Sequence, residues 1–244
     1  MRQYNFGSGN MVVIPPVTVP TPIQLGSLQE VTIGFSASNK ELAGQNQYAE
    51  IVARGMVKVS GKAKFARINA AAYNAIFFNE TAQTGMTLAA FNELGTIPSA
   101  TAYTVTAANS TNFSQDMGVV EAATGKIFTR VASAPSAYQY SVTSGVYTFA
   151  QDDKAKKVLI SYLYTDATVG TTITLNNNPT GEAPSFQAVF NGKFSGKQTT
   201  MILYSCVSNK LDLIGTKTED FTIPEFDFTA FAPSGVLGLL STHG

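Results

Sequence analysis

The chain has 244 residues, 44% of them hydrophobic and 11% aromatic, enough to build a core in one large β domain or in a domain with an insertion. Sixteen basic residues balance sixteen acidic ones and only 13% of positions are charged, which excludes the positive field of a stable nucleic-acid or acidic-membrane binder. A single cysteine, Cys206, excludes an internal disulfide framework and a zinc spacing, and no apolar run reaches the roughly 20 residues of a membrane-spanning helix.

Residues 1–26 carry Pro15, Pro16, Pro20 and Pro22 around the apolar group Met11-Val12-Val13-Ile14. That proline density disfavours a helix or a central strand and predicts an extended N-terminal arm lying on a surface, its own or a neighbour's. The start Met1-Arg-Gln-Tyr-Asn-Phe-Gly lacks a charged segment feeding an apolar run, so the chain reads as cytosolic when made. Val31, Ile33, Phe35 and Ala37 then alternate with Thr32, Gly34, Ser36 and Ser38, the pattern of a half-buried strand over 30–42.

The polar stretch 43–48 joins this strand to a second one, Ile51–Phe65, whose odd positions are apolar or small and whose even positions carry Arg54, Lys58, Ser60, Lys62 and Lys64. Period two predicts a strand with one basic face. Fifteen residues at about 3.3 Å each reach roughly 50 Å, beyond any single compact sandwich, so one end should project toward a neighbouring chain. The period then changes. Asn69 is an N-cap, Ile68 and Tyr73 form a hydrophobic staple, and Tyr73, Ile76 and Phe77 mark the buried stripe of a helix over 69–78 that lies across the sheet.

Residues 79–112 have weak periodicity, with Met86–Leu94 read as a second short helix. From Phe113 to Tyr164 short strand candidates alternate with turns at Thr124-Gly125, Ala134-Pro135, Ser144-Gly145 and Asp152-Asp153. They form a small antiparallel module inserted into a main domain of residues 27–112 and 165–244. The last third returns to larger strands. It closes on Phe221-Thr-Ile-Pro-Glu-Phe-Asp-Phe-Thr-Ala-Phe231, where Glu225 and Asp227 share one face and Pro224 predicts an edge or a bulge. The fold class is therefore mainly β, an antiparallel sandwich or partial barrel with a flanking short helix and an inserted β module.

Reactive constellations are absent from this pattern. The only histidine is His243, and there is no nucleophile elbow, P-loop or dinucleotide fingerprint. Asp152-Asp153 and Glu219-Asp220 are adjacent acids of the kind usually solvated at turns, so no catalytic residue, metal site or cofactor is assigned. The basic strand face is either a solvated surface with lysine stems covering apolar area, or a contact between Arg54, Lys58, Lys62 and Lys64 and an acidic surface such as Glu225 and Asp227 of another subunit.

The order of pieces resembles structural proteins of tailed bacteriophages, most closely tail tube proteins. The likeness is carried by the arm, by Lys58-Val-Ser-Gly-Lys-Ala-Lys-Phe65 running into Asn69–Phe78, and by the closing run Glu219-Asp-Phe-Thr-Ile-Pro-Glu-Phe-Asp-Phe228. The central section is similar to accessory β modules of virion proteins. The resemblance implies six-membered rings stacked into a hollow tube in the virion. Other tail proteins would be partners, DNA would pass through the lumen without sequence-specific binding, and no membrane would be involved. Gln45, Asn46, Gln47 and Tyr48 of the hairpin tip and Val12, Val13 and Ile14 of the arm are then the contacts between rings. Tube lumens are generally acidic or neutral, and lysines in the bore would hold phosphate, so the basic face is expected to turn toward a neighbouring subunit. The alternatives are a capsid decoration or baseplate component, and a glycan-binding module using Tyr138, Tyr140 and Tyr147.

Overall fold

The structure, a computed structural model, describes residues 7–45, 47–67, 70–216 and 218–243. It is mainly β, with antiparallel sheets and one short helical segment, and no closed barrel forms among the described residues. The chain divides into two compact units, one of residues 1–82 and 173–244 and a second of residues 83–172.

The first unit is an open eight-stranded sheet. Its strands are β1 (Asn10–Ile14), β2 (Ile23–Leu25), β3 (Leu28–Leu42), β4 (Ile51–Phe65), β12 (Ser185–Phe194), β13 (Lys197–Asp212), β14 (Glu225–Ala230) and β15 (Gly238–Thr242). They lie in the order β2-β1-β12-β13-β14-β4-β3, with β15 also on β13. The N-terminal arm is corrected by this order. Residues 10–14 pair with β12 and residues 11–13 also with β2, and Val13 is fully buried beside Met11. The prolines lie just outside these five residues, in the exposed connection 15–22, so every N–H that the ladder needs is present.

A short α-helix, α1 (Ala70–Tyr73), continues as a π-helical turn, Asn74–Phe78. Its closing bond runs from the Asn79 amide to the Asn74 carbonyl at 2.7 Å, a spacing of five residues. The wider turn changes the predicted stripe. Tyr73 and Ile76 are buried, Phe77 is turned toward solvent, and Phe78 packs on the core instead. Asn79 ends the turn in the left-handed region, and the Asn74 side chain brackets the Glu80 backbone with two hydrogen bonds of 2.6 and 2.8 Å. The expected cap at Asn69 and the Ile68 half of the staple lie outside the described residues.

The core beneath this helix is aromatic. Phe65, Phe186, Phe226 and Phe228 stack edge to face or tilted, with ring centroids 5.6–6.3 Å apart. β14 is the spine that joins β13 to β4, so the expectation of an edge strand fails. Pro224 precedes the ladder rather than interrupting it, and its carbonyl still accepts from the Phe65 amide at 3.1 Å. Gly61 on β4 is required here, because a Cβ there would sit 2.1 Å from the Phe228 ring.

The second unit is a two-sheet sandwich. One sheet contains β5 (Ala82–Thr96), β11 (Lys157–Ile173) and β7 (Phe113–Glu121) in the order β5-β11-β7. The other holds β6 (Thr104–Thr106), β10 (Val146–Phe149), β9 (Gln139–Thr143) and the two-residue β8 (Thr129–Arg130), which pairs with β9 in parallel. The insertion is thus longer than 113–164. Met86–Leu94, an expected helix, lies inside β5, where pairing with β11 overrides the helix propensity of Met, Leu and Ala.

Inside this sandwich the Asp116 carboxylate, 4% exposed, accepts from Tyr140 Oη at 2.6 Å and Tyr147 Oη at 3.1 Å. Burial, then the neighbouring carboxylate, pushes both phenols far above their ordinary range. Asp153, expected to be solvated, is fully buried. It accepts from the Tyr138 amide at 2.8 Å and from Lys156 Nζ at 2.6 Å, and the Lys156 ammonium also lies over the Tyr138 ring.

Two predictions test this account. Gly61→Ala should destabilise the protein by roughly 1–3 kcal/mol and Phe228→Ala by about 3–5 kcal/mol. The double variant should cost clearly less than the sum, since removing the ring makes room for the methyl; additive urea-unfolding energies would refute the contact. A fragment of residues 83–172, whose ends are held together by the 2.8 Å bond from Thr172 Oγ1 to the Gly85 carbonyl, should unfold cooperatively by circular dichroism. A fragment without a transition would show that its core is insufficient alone.

Candidate self-association surface

β3 and β4 pair along their whole length, from Leu28↔Phe65 to Leu42↔Ile51, and the Glu50 amide closes the turn onto the Leu42 carbonyl at 2.8 Å. β14 supports β4 only from Val59 to Lys64. Beyond that ladder the hairpin is a two-stranded ribbon. Between residues 35 and 58 every described residue is solvent-exposed except the half-buried Gly55. Phe35, Leu42, Ile51, Val52, Met56 and Val57 are large apolar side chains in this exposed stretch.

A bulge divides the ribbon. Ala37 faces Val57 but Asn39 faces Arg54, so β4 carries one residue more than β3 in between. Gly55 lies at this point against Ser38, where a Cβ would come within 2.5 Å of Ser38 Oγ. The extra residue reverses the alternation of β4. Lys58, Lys62 and Lys64 share the outer face, opposite Ser36, Thr32 and Glu30, whereas Arg54 lies on the core-facing side with Asn39. The single basic face expected from the sequence is therefore broken at Gly55-Met56.

The lysines nearest the core are neutralised within the chain. Lys62 Nζ lies 2.9 Å from Glu225, Lys64 Nζ lies 2.6 Å from Glu30, and Lys210 bridges Glu225 and Asp212 at 3.0 and 2.6 Å. Glu225 thus meets Lys62 of its own chain, and the register also sets Asp227 opposite Lys62. Within the chain Glu225 belongs to a network with Lys62 and Lys210, whereas Asp227 forms no ion pair among the described residues. Hydrogen bonds from Lys62 and Lys210 hold the Glu225 carboxyl at about 2, well below its ordinary value. Asp227 Oδ1 is buried with no hydrogen-bond partner among the described residues.

The distal cations differ. Arg54 and Lys58 are exposed and form no ion pair among the described residues, and the same holds for Lys40, which the sequence pattern did not single out. Of the expected ring contacts, Gln45, Gln47 and Tyr48 are exposed at the tip, and Asn46 lies outside the described residues. Val12 and Ile14 are half-buried, and Val13 has no surface to offer.

The edges matter as much as the faces. The outer edge of β3 has no partner strand among the described residues, and neither does the edge of β15 away from β13. β3 has no proline and only three charges, so little protects that 15-residue edge from pairing with another chain. On the core-facing side an apolar groove continues the interior outward, lined by Phe35, Met201, Leu203, Leu237, Leu239 and Leu240.

The other groups with possible chemistry are structural. Tyr140 and Tyr147 are buried and Tyr138 lies between the Lys126 and Lys156 ammonium groups, so these rings offer no open stacking platform for a sugar. Cys206 is buried, and burial pushes its thiol up to about 12. His243 Nδ1 accepts from the Gln198 amide at 3.3 Å and so prolongs the β13–β15 pairing. No group of three or more His, Cys, Asp and Glu among the described residues is arranged to hold a metal ion, and no described helix is long and apolar enough to cross a membrane. The chain matches no protein-family model and no curated protein.

The network around Glu225 predicts a specific pH dependence. Its folded value is depressed, so its stabilisation is complete above about pH 4.5 and is lost as pH falls toward about 2. Wild type should exceed Glu225→Gln in urea stability at pH 7 by a small, solvent-screened margin that closes between these limits. A margin independent of pH would remove the ion pairs from the account.

Proposed function

We propose that the protein is a virion structural subunit that self-assembles into rings, six-membered and stacked as a tail tube through which phage DNA passes. The observation that carries this reading is the β3–β4 hairpin. A two-stranded ribbon exposed on both faces is marginal in water, and this one also displays six large apolar side chains beside an open strand edge. Such a ribbon gains a defined environment when other copies cover it. The low charge of the chain favours that association. Lys62 and Lys64 are neutralised internally, so two of the hairpin's lysines are not offered to DNA phosphate.

Negative-stain electron microscopy of the purified protein over a concentration series tests the proposal. Long tubes with a regular ring repeat are expected. Discrete small particles at every concentration, with and without added tail fragments as nuclei, would overturn it in favour of a decoration or baseplate subunit.

A further inference from the structure

Two groups of exposed apolar residues in the first unit lie at opposite ends of one sheet. At one end is the hairpin tip. The other holds the described residues of the β13–β14 loop, 213–216 and 218–224, because Asp212 pairs with Glu225 and Glu225 with Lys64 at the end where β3 begins and β4 finishes. In this loop Ile214 is 88% and Phe221 87% exposed, and Glu219 and Asp220 are exposed beside them. Thr222 Oγ1 donates to the Gly215 carbonyl at 2.5 Å, tying residues 215 and 222 together, and the Phe221 amide donates to Asp220 Oδ1 at 2.8 Å.

The outer face of the hairpin carries the complementary order. Moving toward the tip, Lys58 stands opposite Ser36, Lys40 opposite Ala53, and Leu42 opposite Ile51, so two lysines without ion-pair partners among the described residues lead into an exposed apolar pair. The acidic Glu41 faces the other way, paired in register with Val52, on the side that holds Arg54. Gly34 and Ser60 leave a shallow hollow next to Lys58, where a Cβ on Gly34 would meet nothing closer than 4.0 Å.

We infer that the outer face of the hairpin receives the 213–224 loop of a second copy, with Glu219 and Asp220 against Lys58 and Lys40, and Phe221 and Ile214 against Leu42 and Ile51. The contact joins different surfaces at opposite ends of the sheet, so it is head to tail and propagates along the strand direction instead of closing a two-fold dimer. It rests on the reading of the chain as a self-assembling subunit and names the surface that each hairpin docks on.

Charge exchange tests the pairing. Variant one is Lys40→Glu with Lys58→Glu, and variant two is Glu219→Lys with Asp220→Lys; circular dichroism and thermal unfolding first establish that both are folded. Sedimentation velocity should show self-association of each variant alone weakened at least about tenfold. An equimolar mixture should recover wild-type association, because each altered surface then meets its altered complement and each native surface its native one. Association of either variant at wild-type strength, or a mixture no better than its components, overturns the inference. If variant one assembles normally but slows DNA passage, the lysines face the bore and the inference fails. Rescue without tubes in the microscope would retain this contact and reject the tube, whereas wild-type tubes with indifferent variants would do the reverse. A wild type that stays monomeric throughout rejects both.

Discussion

The β3–β4 hairpin is anchored to the rest of its sheet by six residue pairs between β14 and β4, and the geometry of the first unit follows from where that ladder stops. Phe226 and Phe228 fill the core from β14, and Gly61 supplies the gap that lets the Phe228 ring lie against β4. At Ala230 the chain leaves the ladder, passes over residues 231–237 and returns to β13 as β15. β4 therefore loses its second neighbour halfway along its length. Without a neighbouring strand there is nothing for the distal half to bury against, and its apolar residues remain in water.

Charge placement follows the same division. Where β4 is supported, lysines face carboxylates on adjacent strands, and the solvent-screened pairs with Glu30 and Glu225 hold the polar side of the sheet in register. Where support ends, Lys40, Arg54 and Lys58 have no such partners within the described chain. The Gly55 bulge then sends Arg54 and the lysines to opposite faces, so the ribbon presents two chemically different surfaces. One is cationic leading to apolar, and the other extends the interior outward through Phe35 and Val57.

The second unit solves a different problem. Its core is rich in tyrosine, and each large ring with a hydroxyl needs an acceptor once buried. Asp116 serves Tyr140 and Tyr147, and Glu93 serves Tyr162 at 2.6 Å. Asp116 and Glu93 thus position aromatic rings, and of the adjacent acids at Asp152-Asp153 only Asp153 is enclosed, held by the Tyr138 amide and Lys156.

Local pattern determined a good deal by itself. Period-two alternation over 30–42 and 51–65 predicts both long strands, and Val146–Phe149 emerges with the same bounds, because a strand with one buried face must alternate. The mainly β class, the short helical segment before residue 79 and the exposed tip at Gln45, Gln47 and Tyr48 were legible for the same reason. Tertiary structure decided the rest. β5 was hidden because its Met, Leu and Ala residues also suit a helix, and only pairing with β11 selects the strand. Residues 10–14 looked like part of a proline-rich arm, and only β12 and β2 on either side make them interior. One unpaired residue at Gly55-Met56 moved Arg54 off the lysine face, and Glu225 met Lys62 in its own chain. Which strands become neighbours is a long-range choice set by the whole core, and the chemistry of an exposed face follows from that choice.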